Sequence, residues 1–187
     1  MPAYARGFEA ALAQVSRFAE DEGPVDLCGL SLGALVGLRV AAARPVAVRR
    51  LVACAGFERL PHGLLRRVRL LAAVARVMPR RALHRQLVGD LPEEHRALAT
   101  EEIAALDPRA LSRLMREAAG ASVDPAAVAA PTLVLCGERD GANLPLCRSL
   151  AEALPDGSFE LVPGAGHVAN LDEPAAFTDL VREFLSD

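Results

Sequence analysis

The sequence predicts an α/β fold, with a mainly parallel sheet of about four strands, flanking helices and a helical insertion. Two observations carry this. Short apolar, strand-like runs alternate with helical patterns, and that order implies right-handed crossovers between parallel strands. In addition, the stretch from Phe57 to Ala130 reads as helical throughout, with no strand in it. The chain therefore reads as one domain over residues 1–187, with residues 57–130 as a helical lid inserted within it.

Each element has a local reason. Tyr4–Glu20 reads as an amphipathic helix, because Phe8, Leu12, Val15 and Phe18 recur at helical spacing. Glu22-Gly23-Pro24 stops it. Val25–Cys28 is a short buried strand. Leu32–Ala43 is a helix with little polar surface, ended before Pro45. Arg50–Ala55 is the second strand. In the insertion, Leu64–Val77, Arg81–Val88, Glu93–Ala105 and Pro108–Ala118 are candidate helices, punctuated by Pro79, Pro92 and Pro108. Thr132–Cys136, introduced by Pro131, is the third strand. A helix from about Leu146 to Leu154 follows, and Pro155-Asp156-Gly157 turns the chain into a fourth strand, Phe159–Val162. Pro174–Leu185 closes the pattern as an amphipathic helix carrying Phe177, Leu180, Val181 and Phe184.

Composition narrows the function classes. Of the 187 residues, 52% are hydrophobic and 24% charged, as in ordinary globular proteins. The net charge of −3 does not suggest a nucleic-acid partner. All 21 basic residues are arginine, which we read as coding bias. Cys28, Cys54, Cys136 and Cys147 include no C-x-x-C pair and no zinc spacing, so no metal is expected. The first three lie in apolar, strand-like runs, where cysteine acts as a small hydrophobe. A reducing cytoplasm is the simplest compartment. The N-terminus lacks the apolar region of a signal peptide, and no uncharged stretch is long enough to span a membrane.

Chemistry enters at Gly29-Leu30-Ser31-Leu32-Gly33, between the first strand and its helix. A serine on such a sharp turn holds its hydroxyl clear of the sheet, and the glycines are expected to remove Cβ atoms that would clash. The following helix directs its positive end at the place where an oxyanion would form, with the Leu32 N–H as donor. By composition alone, on the order of 0.04 such G-x-S-x-G matches are expected. The plain alternative makes Ser31 an N-cap.

A serine nucleophile needs a base, and the base needs an orienting acid. Among four histidines, His62, His84 and His95 fall in the helical insertion. His167 follows the fourth strand through Pro163-Gly164-Ala165-Gly166, at the strand end where parallel sheets gather chemistry. Asp140 follows the third strand, one strand spacing of about 4.8 Å away. Glu138 is the rival acid, and an Asx turn in "ERDGAN" is the structural alternative for Asp140.

The segments "LCGLSLGALVGLRVAAARP", "RRLVACAG", "APTLVLCGERD" and "LVPGAGHVANLDEPAAFTDLVREFL" together resemble the α/β-hydrolase superfamily. The resemblance covers roughly residues 2–57 and 129–185. It implies Ser31 as nucleophile, Asp140 as acid and His167 as base. "GLSLGA" with "PGAGH" points to a branch of small esterases, enol-lactonases and thioesterases. The implied activity is hydrolysis of an ester or thioester, with no cofactor; the apolar face of the insertion, with Leu64, Leu65, Val68, Leu71 and Val74, would roof the site and favour a small apolar acyl substrate. Two alternatives accompany it: a non-catalytic module of the same fold, and a cofactor-free perhydrolase or lyase.

Superfamily members usually carry three or four strands before the elbow strand, and a His-Gly loop among them supplies a second oxyanion N–H. Here the sole His-Gly is His62-Gly63, after the second strand. The chain thus resembles an N-terminally truncated form of the fold. Loss of one donor would cost about 3–4 kcal/mol of transition-state stabilisation. Val25–Cys28 would become an apolar sheet edge, and the expectation is a homodimer through it, poor solubility or a longer gene product. In the insertion, Arg59, Arg66, Arg67, Arg69, Arg76 and further arginines suggest either a surface for an anionic partner or a solvated face balanced by Glu93, Glu94, Glu101 and Glu102.

Overall fold

The computed structural model describes residues 7–79, 81, 82, 85 and 107–186. The elements run α1 (Phe8–Glu22), β1 (Val25–Leu30), α2 (Leu32–Ala43), β2 (Val48–Cys54), α3 (His62–Val77), α4 (Pro108–Gly120), β3 (Thr132–Gly137), α5 (Leu144–Ala153), β4 (Gly157–Val162), α6 (Ala169–Asp172) and α7 (Pro174–Ser186). All four strands are parallel and pair in the order β1-β2-β3-β4. The fold class read from the sequence is the one observed. Most expected elements appear with ends shifted by no more than two residues, and the expected start of the first helix at Tyr4 lies outside the described residues. The short helix α6 was not foreseen, and the expected helices Glu93–Ala105 and most of Arg81–Val88 lie outside the described residues.

The chain divides into two compact units. One comprises Leu12–Arg59 with Ser122–Asp187 and holds the sheet; the other comprises Met1–Ala11 with Leu60–Ala121. In the sheet unit, β3 is buried at every residue, so its run "TLVLCG" needs no polar alternation. On one face, Val52, Cys54, Leu133, Leu135 and Val162 form a core against Phe177, Leu180, Val181 and Phe184 of α7. Arg50 reinforces that packing, donating from Nη1 to the Leu185 carbonyl at 2.8 Å. On the other face, Leu51 meets Gly37 of α2, and Ala53 and Leu150 of α5 flank Gly56. In the helical unit, α3 and α4 pack on one another through small or apolar residues, including Ala72, Ala75, Leu114 and Ala119. Asp107 caps α4, accepting the Ala110 N–H.

β1 lies at a sheet edge. The N–H groups of Val25 and Ser31 point to β2, donating to the Ala47 and Cys54 carbonyls. By alternation, the backbone groups of Asp26, Cys28 and Leu30 point outward. Cys28 is exposed on this strand, whereas Cys54, Cys136 and Cys147 are buried. The expectation of a buried Cys28 is therefore corrected: an edge strand leaves this residue accessible. Among the described residues, no helix is long and apolar enough to cross a membrane.

Two glycines control the carboxyl end of the sheet. A Cβ on Gly29 would lie 2.4 Å from the Gly33 carbonyl carbon and oxygen, and one on Gly137 would lie 2.0 Å from the Gly166 oxygen. All are backbone atoms and cannot step aside. Gly33 differs, because a Cβ there meets nothing within 4 Å. The expectation that both elbow glycines relieve a clash is therefore corrected to Gly29 alone. Gly33 sits in the first turn of α2, where its side would be open. Urea unfolding should show Gly29→Ala and Gly137→Ala destabilised by about 1–3 kcal/mol or more. Gly33→Ala should be neutral or slightly stabilised, by less than about 1 kcal/mol. Equal losses at Gly29 and Gly33 would contradict this account.

Candidate active site

The turn from β1 into α2 holds Ser31 at φ 53° and ψ −107°, a backbone conformation that a residue with a side chain rarely adopts. Its surroundings over-determine it. The Ser31 N–H donates to the Cys54 carbonyl at 2.7 Å, and the Ser31 carbonyl accepts the Leu35 N–H at 3.1 Å. Ser31 occupies the N-cap position of α2, but its side chain caps no backbone N–H there. Leu32 is the first residue of α2, and its N–H is one of those left without an intrahelical acceptor.

Asp140 lies three residues beyond β3. Its N–H donates to the Gly137 carbonyl at 3.0 Å, while its own carbonyl accepts the Asn143 and Leu144 N–H groups as α5 begins. It is one of three buried polar residues among those described, at 8% exposure. His167 Nδ1 lies 2.7 Å from Asp140 Oδ2. Asn143 Nδ2 donates to both carboxylate oxygens, at 2.9 Å each. The carboxylate thus bonds two side chains, which distinguishes it from an Asx turn. Glu138, the rival acid, is used elsewhere: its Oε2 accepts the Gly164 N–H at 2.8 Å.

A carboxylate only accepts, so the proton between His167 and Asp140 sits on Nδ1. That choice turns Nδ1 away as an acceptor for Asn143 Nδ2, 3.2 Å distant, and leaves Nε2 with its lone pair. The imidazole is 45% exposed.

The loop after β4 explains how His167 reaches Asp140. Gly164, at φ 71°, reverses the chain. The Ala165 carbonyl accepts the Arg139 N–H at 2.8 Å, and the Gly166 carbonyl packs on Gly137. Asp172 Oδ2, from α6, accepts the Gly166 N–H at 2.8 Å and holds the far side. The loop therefore folds back over the end of β3.

Of the candidate residues, the structure joins Asp140 and His167 directly. Ser31 stands at the same carboxyl edge of the sheet, and among the described residues no hydrogen bond links it to His167. His62 is the first residue of α3, in the helical unit. His84 and His95 lie outside the described residues. Asn143 and Asp172 were not foreseen. Asn143 reads as a turn residue in "ERDGAN", and only its position three residues after Asp140 hinted at more.

Of the three buried thiols, Cys136 is lowered by its hydrogen bond with Cys147, whereas Cys54 and Cys147 are shifted the other way. Burial, aided by neighbouring thiols and the Asp140 carboxylate, pushes Cys54 up to about 12. Cys147 is raised well beyond the usual thiol range by its hydrogen bond with Cys136 and by burial. A thiol held protonated attacks poorly. Among the described residues, no group of three His, Cys, Asp or Glu side chains is arranged to hold a metal ion.

The chain is similar to known proteins in sequence and in fold. A 56-residue stretch is 36% identical to a protein of Bacillus subtilis (strain 168) named as a 2-succinyl-6-hydroxy-2,4-cyclohexadiene-1-carboxylate synthase; the stretch is 30% of this chain and spans 20% of that relative. MenH from S. aureus superposes with a TM-score of 0.81 at 18% identity, covering 96% of this chain and 75% of that one. The enol-lactonase from Burkholderia xenovorans LB400 gives 0.79 at 22% identity, over 100% and 75%. A thermophilic esterase from Thermogutta terrifontis gives 0.76 at 22% identity, over 96% and 72%. These likenesses show the fold. Residues 2–180 match the alpha/beta hydrolase family along nearly the whole chain, and the protein belongs to that family.

Proposed function

We propose that this protein is a serine hydrolase of ester or thioester bonds in small apolar acyl substrates, with Ser31 as nucleophile, His167 as base and Asp140 as the orienting acid. The observation that carries the reading is the 2.7 Å contact of His167 with Asp140, which leaves Nε2 as an acceptor on the sheet edge where the strained Ser31 stands. Two structural neighbours are named as an esterase and an enol-lactonase, and a lactone is a cyclic ester.

The residues divide the work as follows. Ser31 Oγ attacks the substrate carbonyl carbon while His167 Nε2 takes its proton. Asp140 holds the imidazole in its tautomer and stabilises the imidazolium. The Leu32 N–H, at the positive end of α2, donates to the oxyanion. His167 then returns the proton to the leaving alkoxide or thiolate, and the acyl group stays on Ser31. Water, deprotonated by His167, attacks the acyl carbon, and His167 passes that proton to Ser31 Oγ as the acid leaves. No step needs a metal or an organic cofactor. Hydrogen bonds between base and nucleophile are often long before substrate binds, so a separate Ser31 is compatible with this sequence.

The likeness to a carboxylate synthase favours a second reading, a reaction other than hydrolysis run by the same three residues. The two differ in whether an acyl-enzyme forms.

The reading also includes a homodimer through the outer edge of β1, supported by the outward backbone groups of Asp26, Cys28 and Leu30. Static light scattering should give twice the chain mass, and a monomer would remove this part.

A fluorophosphonate probe should label the wild type and leave Ser31→Ala unlabelled. Labelling of both, or of neither, would sink the nucleophile assignment. With p-nitrophenyl acetate, Asp140→Asn should lower kcat on the order of 10⁴-fold, because the amide no longer fixes the tautomer. Asn143→Ala should lower kcat less, at unchanged KM, because it loosens a carboxylate that still holds His167.

A further inference from the structure

The helical unit contains a cavity of about 390 Å³, lined among the described residues by Ala73, Arg76 and Val77 of α3 and by Arg109 and Arg116 of α4. Three of these five lining residues are arginines, and no carboxylate among the described residues lines it. The two arginines of α4 are seven residues apart. That spacing is two helical turns, about 10.5 Å along the axis, with both side chains on one face. Arg76 approaches from the last turn of the packed helix α3. Three permanent positive charges therefore converge from two helices on one concave site.

Arginine is plentiful on this unit, and most of it reads as solvated surface. Convergence on a shared cavity separates these three from the rest. Like charges repel, and an anion between them removes that cost. Guanidinium forks match the oxygens of phosphate in paired hydrogen bonds. The volume lies at the low end of the range of small-molecule sites. A phosphate monoester carries about 1.5 to 2 negative charges, so three arginines suit a group with more than one phosphate. Ala73 and Val77 leave an apolar wall for an attached organic part.

We propose that this cavity binds a small phosphorylated molecule through a diphosphate group, held by Arg76, Arg109 and Arg116. The proposal is independent of any chemistry at Ser31.

Titration calorimetry of the full chain with inorganic pyrophosphate tests it. One saturable site is expected, with orthophosphate binding at least about tenfold more weakly. Arg76→Ala and Arg116→Ala should each weaken pyrophosphate about tenfold or more. Arg116→Lys should recover part of the loss, since it keeps the charge without the fork. Arg113→Ala, on α4 but outside the cavity lining, should bind as the wild type does. Thermal melts of each variant check folding, and the lysine variant carries the test should an alanine variant not fold. No saturable heat with pyrophosphate would overturn the proposal. So would equal affinity for orthophosphate, or an Arg113→Ala loss as large as that of Arg116→Ala.

Discussion

Gly137 has no side chain, and the carbonyl of Gly166 occupies the space where one would stand. This close approach lets the loop after β4 turn back over β3 instead of running outward from the sheet. The Arg139–Ala165 backbone bond and the Asp172 carboxylate on the Gly166 N–H then hold the loop in place. His167 is delivered to Asp140 as a consequence. A methyl group at position 137 would push the loop away and separate imidazole from carboxylate, so the pairing rests on a backbone-to-backbone contact two strands from the elbow.

The strain at Ser31 belongs to the same design. A positive φ at a serine costs of order 1–3 kcal/mol and persists only where neighbours enforce it. Here the enforcement comes from a bond to the end of β2 on one side and the first turn of α2 on the other. Gly29 lets α2 start close against β1. The sheet thus supplies a rigid frame, and three of its four strand ends present side chains able to exchange protons or attack. Burial raises the Cys54 thiol well above the usual range, and the hydrogen bond with Cys136 together with burial does the same to Cys147, so these two attack poorly near neutral pH.

The helical unit has a different character. Its packing uses alanines, and its cavity is cationic. In the sheet unit, by contrast, the polar residues near Asp140 are bonded to one another. Like charges gathered in a concave site are a feature that folding alone does not call for, since a solvated arginine costs less when its neighbours are far away.

Much of this protein was legible from local pattern. Short apolar runs such as "TLVLC" and the helical spacing of Phe177, Leu180, Val181 and Phe184 depend on nearest neighbours along the chain, so order and fold class followed from them. The G-x-S-x-G turn and the strand-end places of Asp140 and His167 followed for the same reason. Other features needed three dimensions. Whether Asp140 or Glu138 would meet His167 depends on the path of a loop 24 residues further on. The identical-looking glycines at 29 and 33 differ because one faces the backbone of the next helix and the other faces open space. Asn143, Asp172 and the three converging arginines act across contacts distant in sequence or between helices. Residue type and spacing along one chain determine which elements form; which side chains meet is decided when those elements pack.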